Sequence, residues 1–374
     1  MKWKVFGILV MLAALVTAPL GVNAGWGINV GDKPVPKSEY RLEGPFTHGN
    51  LSVFLVHGKD RLKGQTFLTL EEALIQKKVI VRETREVNRL TIQNVSTEDV
   101  YVQSGDIVKG GAQDRMLVVD LILPPKSAQV PIDAFCVESG RWSQRGNEAS
   151  TVFSSSSNSV ASREVKLAAK VKSSQSEVWR EVSVAQDKLS ATTGARVNSE
   201  ASPSSLQLAL ENKNVQKTTD DYMKALSSIV NGKPNVIGYV FAINGKVNSA
   251  DVYASSALFK KLWPKLLKAS AIEAVAELRG DQKFAAPKAE EVHSLLDESG
   301  EEKQKDVSPR VQVITRDSAG KVSFETRDRA KGDVWVHRNY IKKNCSLQKG
   351  KGRRAKRNAL ALRLSILLIL KRKI

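Results

Sequence analysis

The chain has 374 residues, 41% of them hydrophobic and 26% charged, which is length and apolar content enough for one large core or two joined ones. Its formal net charge is +19, but ten basic residues stand in 349–373 without an acid, and Lys2 and Lys4 supply two more. The +7 left on the body makes no case for specific nucleic-acid binding, and two cysteines exclude a disulfide framework.

Residues 1–24 read as a secretory signal peptide. Lys2 and Lys4 form the positive region, 5–18 the apolar run, and Val22-Asn23-Ala24 a small-residue cleavage site. The run is shorter than the ~20 residues of a spanning helix. The chain is therefore expected to be exported, periplasmic or extracellular, after cleavage near Ala24. An extended lead-in follows over 25–48, with Pro34 and Pro36. The β-branched and aromatic stretch 51–57 predicts a strand closed by Gly58. Thr69 and Glu72 form a capping box that starts a helix over 70–76. Short strands are predicted at 79–82, 90–94 and 100–103. The continuous apolar run 116–123 predicts one buried strand ended by Pro124-Pro125, with 128–130 and 132–137 after it.

From residue 151 the pattern changes. Residues 154–159 are a serine-rich loop, and 163–189 has helical composition. Ser202-Pro203 starts another helix through 210, and 219–230 is a third, ended by Asn231-Gly232. Asn244-Gly245 between two strand-like runs marks a hairpin over 236–252. The helix 255–276 carries Pro264, which predicts a kink or break. Residues 281–306 read as a charged linker or loose helix. A hairpin around Ala319-Gly320 and a final strand at 334–341 close the pattern. The fold class is α+β, with an antiparallel, sandwich-like β-rich N-terminal half, a helical middle, and a hairpin plus helix. The expected organisation is a leader (1–24), a lead-in (25–48), an α+β domain (49–276), a linker (277–309), a terminal β segment (310–342) and a basic, apolar tail (343–374).

Chemistry-bearing residues are densest between Gly105 and Trp142. Gly110-Gly111 permits a backbone path that β-carbons forbid, with amides free to face a ligand. Gln113, Asp114 and Arg115 follow directly. Glu138, Arg141 and Trp142 add a carboxylate, a bidentate anion grip and a flat wall for a ring or sugar. Asp114 and Glu138 are also the candidate acid/base pair of a glycosidase-like site. The same charges equally describe an ion-pair brace between strand ends. Cys136 sits in a predicted strand with no local histidine and reads as a small buried hydrophobe. Four scattered histidines and two cysteines give no metal spacing, so no metal is predicted. Nucleotide fingerprints and the Gly-x-Ser-x-Gly elbow are absent, and no cofactor is predicted.

Gly105-Asp-Ile-Val-Lys-Gly-Gly-Ala-Gln-Asp-Arg115, Val130-Pro131 and Cys136-Val-Glu-Ser-Gly-Arg-Trp142 together resemble the core of the ARG-and-rhodanese-phosphatase-associated protein domain family. The resemblance spans about 49–276, with Val336-His-Arg-Asn-Tyr340 as its closing strand. It implies that Gly110, Gly111, Gln113, Asp114, Arg115, Glu138, Arg141 and Trp142 act together, and it supplies no reaction. Asp106 stands where the family pattern often has Glu.

Three functional readings follow. The first is a domain that binds a small anionic or carbohydrate ligand at the 110–115 loop and the 138–142 turn. The second is a hydrolase of glycosidic or phosphoester-type bonds using Asp114 and Glu138. The third is a cell-envelope interaction protein whose tail lies on an anionic membrane surface, against the alternative that the tail has no role. Oligomeric state is left open.

Overall fold

The structure, a computed structural model, describes residues 39–343 apart from 281 and the side chains of 156–159. The leader and the basic tail lie outside the described residues. The chain begins with β1 (Arg41–His48), β2 (Leu51–His57), β3 (Leu68–Thr69) and α1 (Leu70–Ile75). Strands β4 (Val79–Glu86), β5 (Arg89–Asn94), β6 (Val100–Val102), β7 (Asp106–Gly110), β8 (Arg115–Leu117), β9 (Leu121–Leu123), β10 (Val130–Cys136) and β11 (Phe153–Val160) follow. Helices come next: α2 (Arg163–Lys170), α3 (Gln175–Thr193), α4 (Leu206–Leu210) and α5 (Lys213–Leu226). The hairpin β12 (Val236–Ile243) and β13 (Lys246–Tyr253) leads to α6 (Ser256–Ala276) and α7 (Ala289–Leu295). Strands β14 (Glu301–Asp306), β15 (Val311–Asp317), β16 (Lys321–Asp328) and β17 (Val334–Lys342) complete it.

These strands form an eight-stranded antiparallel sheet in the order β1-β2-β12-β13-β17-β16-β15-β14, a six-stranded sheet β11-β7-β8-β10-β5-β4, and a three-stranded sheet β3-β6-β9. The α+β class is as expected, but the first two strands join the C-terminal ones. Strand β2 is buried along its whole length because β1 and β12 flank it. The eight-stranded sheet carries the main core against α6, whose buried Phe259, Leu262, Trp263 and Leu266 pack on Tyr239 and Val252. Both margins of this sheet are blunted. Strand β14 reads Glu-Glu-Lys-Gln-Lys-Asp with all six side chains exposed, and β1 is bulged between Glu43 and Phe46, around Pro45.

Several local signals hold. Thr69 and Glu72 form the reciprocal capping box, and Asn244 (φ 51°) with Gly245 (φ 71°) makes the β12–β13 turn. Other elements differ. The run 116–123 is broken into β8 and β9, which belong to different sheets, because Asp120 between them turns inward to bind protein donors. The serine run is strand β11, paired with β7. The helix expected over 163–189 is interrupted at Ser173, which has φ 49°. Helix α4 starts later than Ser202-Pro203 because Ser205 caps it, and α5 starts earlier because Asn212 caps it. Pro264 sits inside an unbroken α6, held on both sides by buried residues. The charged stretch 281–306 contains α7 and edge strand β14. No helix among the described residues is long and apolar enough to cross a membrane.

Candidate functional site

The 110–115 loop and the 138–142 turn do meet, and they meet as a brace. Gly110 (φ +117°) and Gly111 (φ +55°) leave β7 along a path where a Cβ on Gly111 would stand 2.3 Å from the Phe153 ring. Their amides face the protein. Gly110 N–H donates to Asp114 Oδ1 (3.0 Å), Gly111 N–H to the Ala149 carbonyl (3.0 Å), and Ala112 N–H to Glu83 Oε2 (3.0 Å).

Asp114 and Glu138 are fully buried. Arg145 grips Asp114 with both terminal nitrogens, each at 2.9 Å, and also reaches Glu138 Oε1 at 3.2 Å. Arg141 holds Glu138 through Nε (2.6 Å) and Nη2 (2.8 Å). Its remaining N–H groups go to the carbonyls of Gly110, Gly111 and Ser143. All five Arg141 donors are therefore used. Asp114 N–H donates to Glu138 Oε2 (2.9 Å) and the Ser205 hydroxyl to Asp114 Oδ2 (2.7 Å), so four donors reach each carboxylate. Burial would raise the Glu138 pKa, but the Arg141 hydrogen bonds and their allies outweigh it and the carboxyl is held low. A pair committed in this way leaves no proton-accepting oxygen open and no space between the two groups for a substrate.

The other half of the predicted set is less satisfied. Arg115 is fully buried. Its Nη1 donates to the Gln113 carbonyl (2.8 Å), its Nη2 reaches Glu83 at 3.4 Å, and its Nε has no partner. The Gln113 amide is buried with neither atom hydrogen-bonded. Trp142 lies 5.7 Å over the Arg115 guanidinium and is 49% exposed. The structure thus brings all eight residues into one neighbourhood, with Arg141 and Arg115 in separate shells. Cys136 is a free, buried thiol whose pKa burial pushes up to about 11.

Sequence reasoning missed Arg145, four residues beyond Arg141 and equally central. It also missed what the brace carries. Ser205 bridges Asp114 to the first turn of α4, accepting Leu208 N–H. The Gln175 amide brackets the Cys136 backbone (2.9 and 2.8 Å), and the Trp179 indole donates to the Glu138 carbonyl (3.0 Å), which fixes α3.

Helices α3 and α4, with α2, α6 and the β12–β13 turn, wall a cavity of about 550 Å³. Its interior is largely aliphatic, from Leu167, Leu189, Leu206, Leu210, Ile243 and Ile272. Six basic and four acidic residues line it, a surplus of two cations. Lys188 pairs with Glu277, Arg163 with Glu164 and Arg180 with Glu181. Lys246 and Arg279 have no acid within salt-bridge distance among the described residues. Glu273 is the half-buried polar anchor. Asn248 donates to its Oε1 (3.0 Å) and Arg163 N–H to its Oε2 (3.3 Å), while burial raises its pKa. The sequence hid this concavity because its walls come from segments more than 100 residues apart.

A third polar group occupies the centre. His337 on β17 is clasped between Asp120 (Nδ1, 2.8 Å) and Asp251 on β13 (Nε2, 3.0 Å). Tyr253 stacks on its ring at 4.4 Å. Burial alone would lower the His337 pKa, but the two carboxylates reverse that and raise it, and Asp120 is correspondingly held low. Asp120 also accepts from Ser104 N–H (2.7 Å) and the Thr326 hydroxyl (2.6 Å). The available signal was a lone acid in the apolar run Leu117-Val-Val-Asp-Leu121. Among the described residues no group of three or more His, Cys, Asp and Glu side chains is arranged to hold a metal ion.

Comparison with known proteins gives one match. A family model described as the ARG and Rhodanese-Phosphatase-superfamily-associated Protein domain matches residues 39–341. No curated protein and no solved structure matches.

Proposed function

Since the chain belongs to the ARG and Rhodanese-Phosphatase-superfamily-associated Protein domain family, we propose that it works there as a small-molecule-binding domain. Its ligand would be an organic anion with an apolar body, and its place of action outside the cytoplasm. The observation that carries the reading is the aliphatic cavity of about 550 Å³, lined also by two cations, Lys246 and Arg279, that have no acidic partner among the described residues. That volume lies within the few hundred to ~1,000 Å³ of small-ligand sites, which are mostly apolar with a few fixed polar groups. Lys246 and Arg279 would take the anionic group, Asn248 and Glu273 would orient a hydroxyl or amine, and the aliphatic walls would cover the body. The lining favours a hydrocarbon or aromatic body over a sugar. In this reading Asp114, Glu138, Arg141 and Arg145 hold the cavity walls in place. Export rests on the leader-like residues 1–24.

The test is a thermal-shift and calorimetric screen of aliphatic and aromatic carboxylates against the whole chain. A ligand is expected whose binding is lost in Ala269→Trp, which fills the cavity, and weakened in Lys246→Glu with Arg279→Glu. Binding that survives all of these changes sinks the cavity reading.

One observation favours a second location. The Gln113 amide and Arg115 Nε are buried and unpartnered, so an anion could satisfy them by entering beneath Trp142. Binding that is lost in Trp142→Ala and kept in Ala269→Trp would move the site there.

A further inference from the structure

Helix α2 presents Arg163 and Glu164 to the cavity, while Lys166 and Lys170, neighbours one turn apart, lie outside that lining. Lys166 is 7% exposed. It passes because residue 105 is glycine at φ +97°, where a Cβ would stand 2.7 Å from Lys166 Cε. Neither ammonium has a hydrogen-bond acceptor within reach among the described residues. The carboxylates around them are already committed. Asp120 and Asp251 hold His337, and Asp106 on β7 takes Lys265 of α6 at 2.6 Å. The centre therefore sets Lys166, Lys170, Lys265 and His337 against three carboxylates, an excess of one cation. Polar atoms nearby are also idle. The Tyr253 hydroxyl and both amide atoms of Gln103 are buried without partners among the described residues.

Lys170 has the setting of a nucleophilic amine. Its Nζ lies 3.8 Å over the Phe324 ring, in an apolar group with Leu167, Val322 and Ile341. It remains partly exposed, so reagents can approach. An amine desolvated by hydrocarbon and placed beside a second cation sheds its proton readily. Burial, helped by Lys166 and opposed by Asp120 and Asp251, brings the Lys170 pKa down to about 8.

We propose that Lys170 is an imine-forming nucleophile for small aldehydes or ketones that carry a carboxylate, with Lys166 pairing the carboxylate. Neutral Nζ attacks the carbonyl carbon, and a C–N bond forms as the C=O π pair moves to oxygen. The nitrogen gives up its two protons, the carbinolamine oxygen takes up two and leaves as water, and the nitrogen lone pair closes the C=N bond. The balance is carbonyl plus amine to imine plus water, with no oxidant or reductant consumed.

Brief exposure of the full chain to glyoxylate with cyanoborohydride at pH 7 traps any imine as a stable secondary amine, and peptide mass spectrometry locates it. Lys170 is expected to be labelled about tenfold faster than Lys224 or Lys303, after discounting its larger free-amine fraction for restricted access. Those two are among the most exposed lysines, at 78% and 76%. Lys170→Arg should remove the fast adduct with an unchanged melting curve. Lys166→Met should cut the preference for glyoxylate over acetaldehyde. Equal labelling of Lys170 and the exposed lysines in the unmodified chain overturns the proposal, and that result needs no variant to fold. Because neither Lys166 nor Lys170 lines the cavity, Ala269→Trp should leave the labelling untouched.

Discussion

Two buried ionic groups in this molecule are made from similar parts and end in opposite states. Around Asp114 and Glu138 the cations are arginines, and Arg141 spends every N–H it has. Around Asp120 and Asp251 the cations are a histidine and two lysines, and both ammonium groups end without an acceptor among the described residues. The planar guanidinium fork can satisfy two carboxylates and several carbonyls at once, so it suits a brace. A compact ammonium on a flexible stem can be left over, and its proton affinity then follows its surroundings. A cluster of charged residues in a sequence therefore says little until its donors are counted against its acceptors.

The sharpest way to break this contrast is to remove one arm of the brace. Arg145→Met leaves Asp114 buried without its bidentate partner and should cost about 3–5 kcal/mol in urea unfolding, as removal of one member of a buried pair does. A loss below ~1 kcal/mol would mean that the pair contributes little. Arg145→Lys should recover only part of the stability, because one ammonium cannot reproduce the fork.

Next in size is the central clasp. The folded pKa of His337 is raised above its unfolded value of about 6.5. Its contribution is thus fully present below that value and declines as pH rises through the folded pKa. His337→Gln should lower stability by about 2 kcal/mol at pH 6, where the charge is shared with Asp120 and Asp251, and by less at pH 9. A difference that does not change with pH would show that His337 is neutral in the fold.

A smaller effect belongs to the cavity. The Glu273 carboxyl titrates above its usual range, so lowering pH through that value removes a negative charge from the wall. Affinity for an anionic ligand should rise about two- to fivefold over that span in calorimetry. A flat profile would place the anion away from Glu273. The smallest expected change is Trp142→Ala, which removes a half-exposed ring from Arg115 and should cost about 0.5–1 kcal/mol.

What could be read beforehand was local. The Thr69–Glu72 box and the Asn244-Gly245 turn each carry their reason within four residues, and both form as expected. The eight residues between Gly110 and Trp142 were legible as a cluster because β7, β8 and β10 bring neighbouring stretches together. Their role as a brace was not legible, because it depends on Ser205, 91 positions from Asp114. Asp120 looked like an interruption in a strand because its partners, Thr326 and His337, come from the far end of the chain. Strand β14 could not be read at all. Every side chain on it is exposed, so no apolar periodicity marks it.

That same strand has a consequence for how molecules of this protein meet. The last strand of a sheet normally offers its free amides and carbonyls to any extended segment that drifts past. Here one margin is hemmed with five charges among six residues, and the other is bent by a proline that has no N–H to give. An eight-stranded sheet so bordered resists lengthening by a neighbour, and crowding alone should not recruit it into fibres.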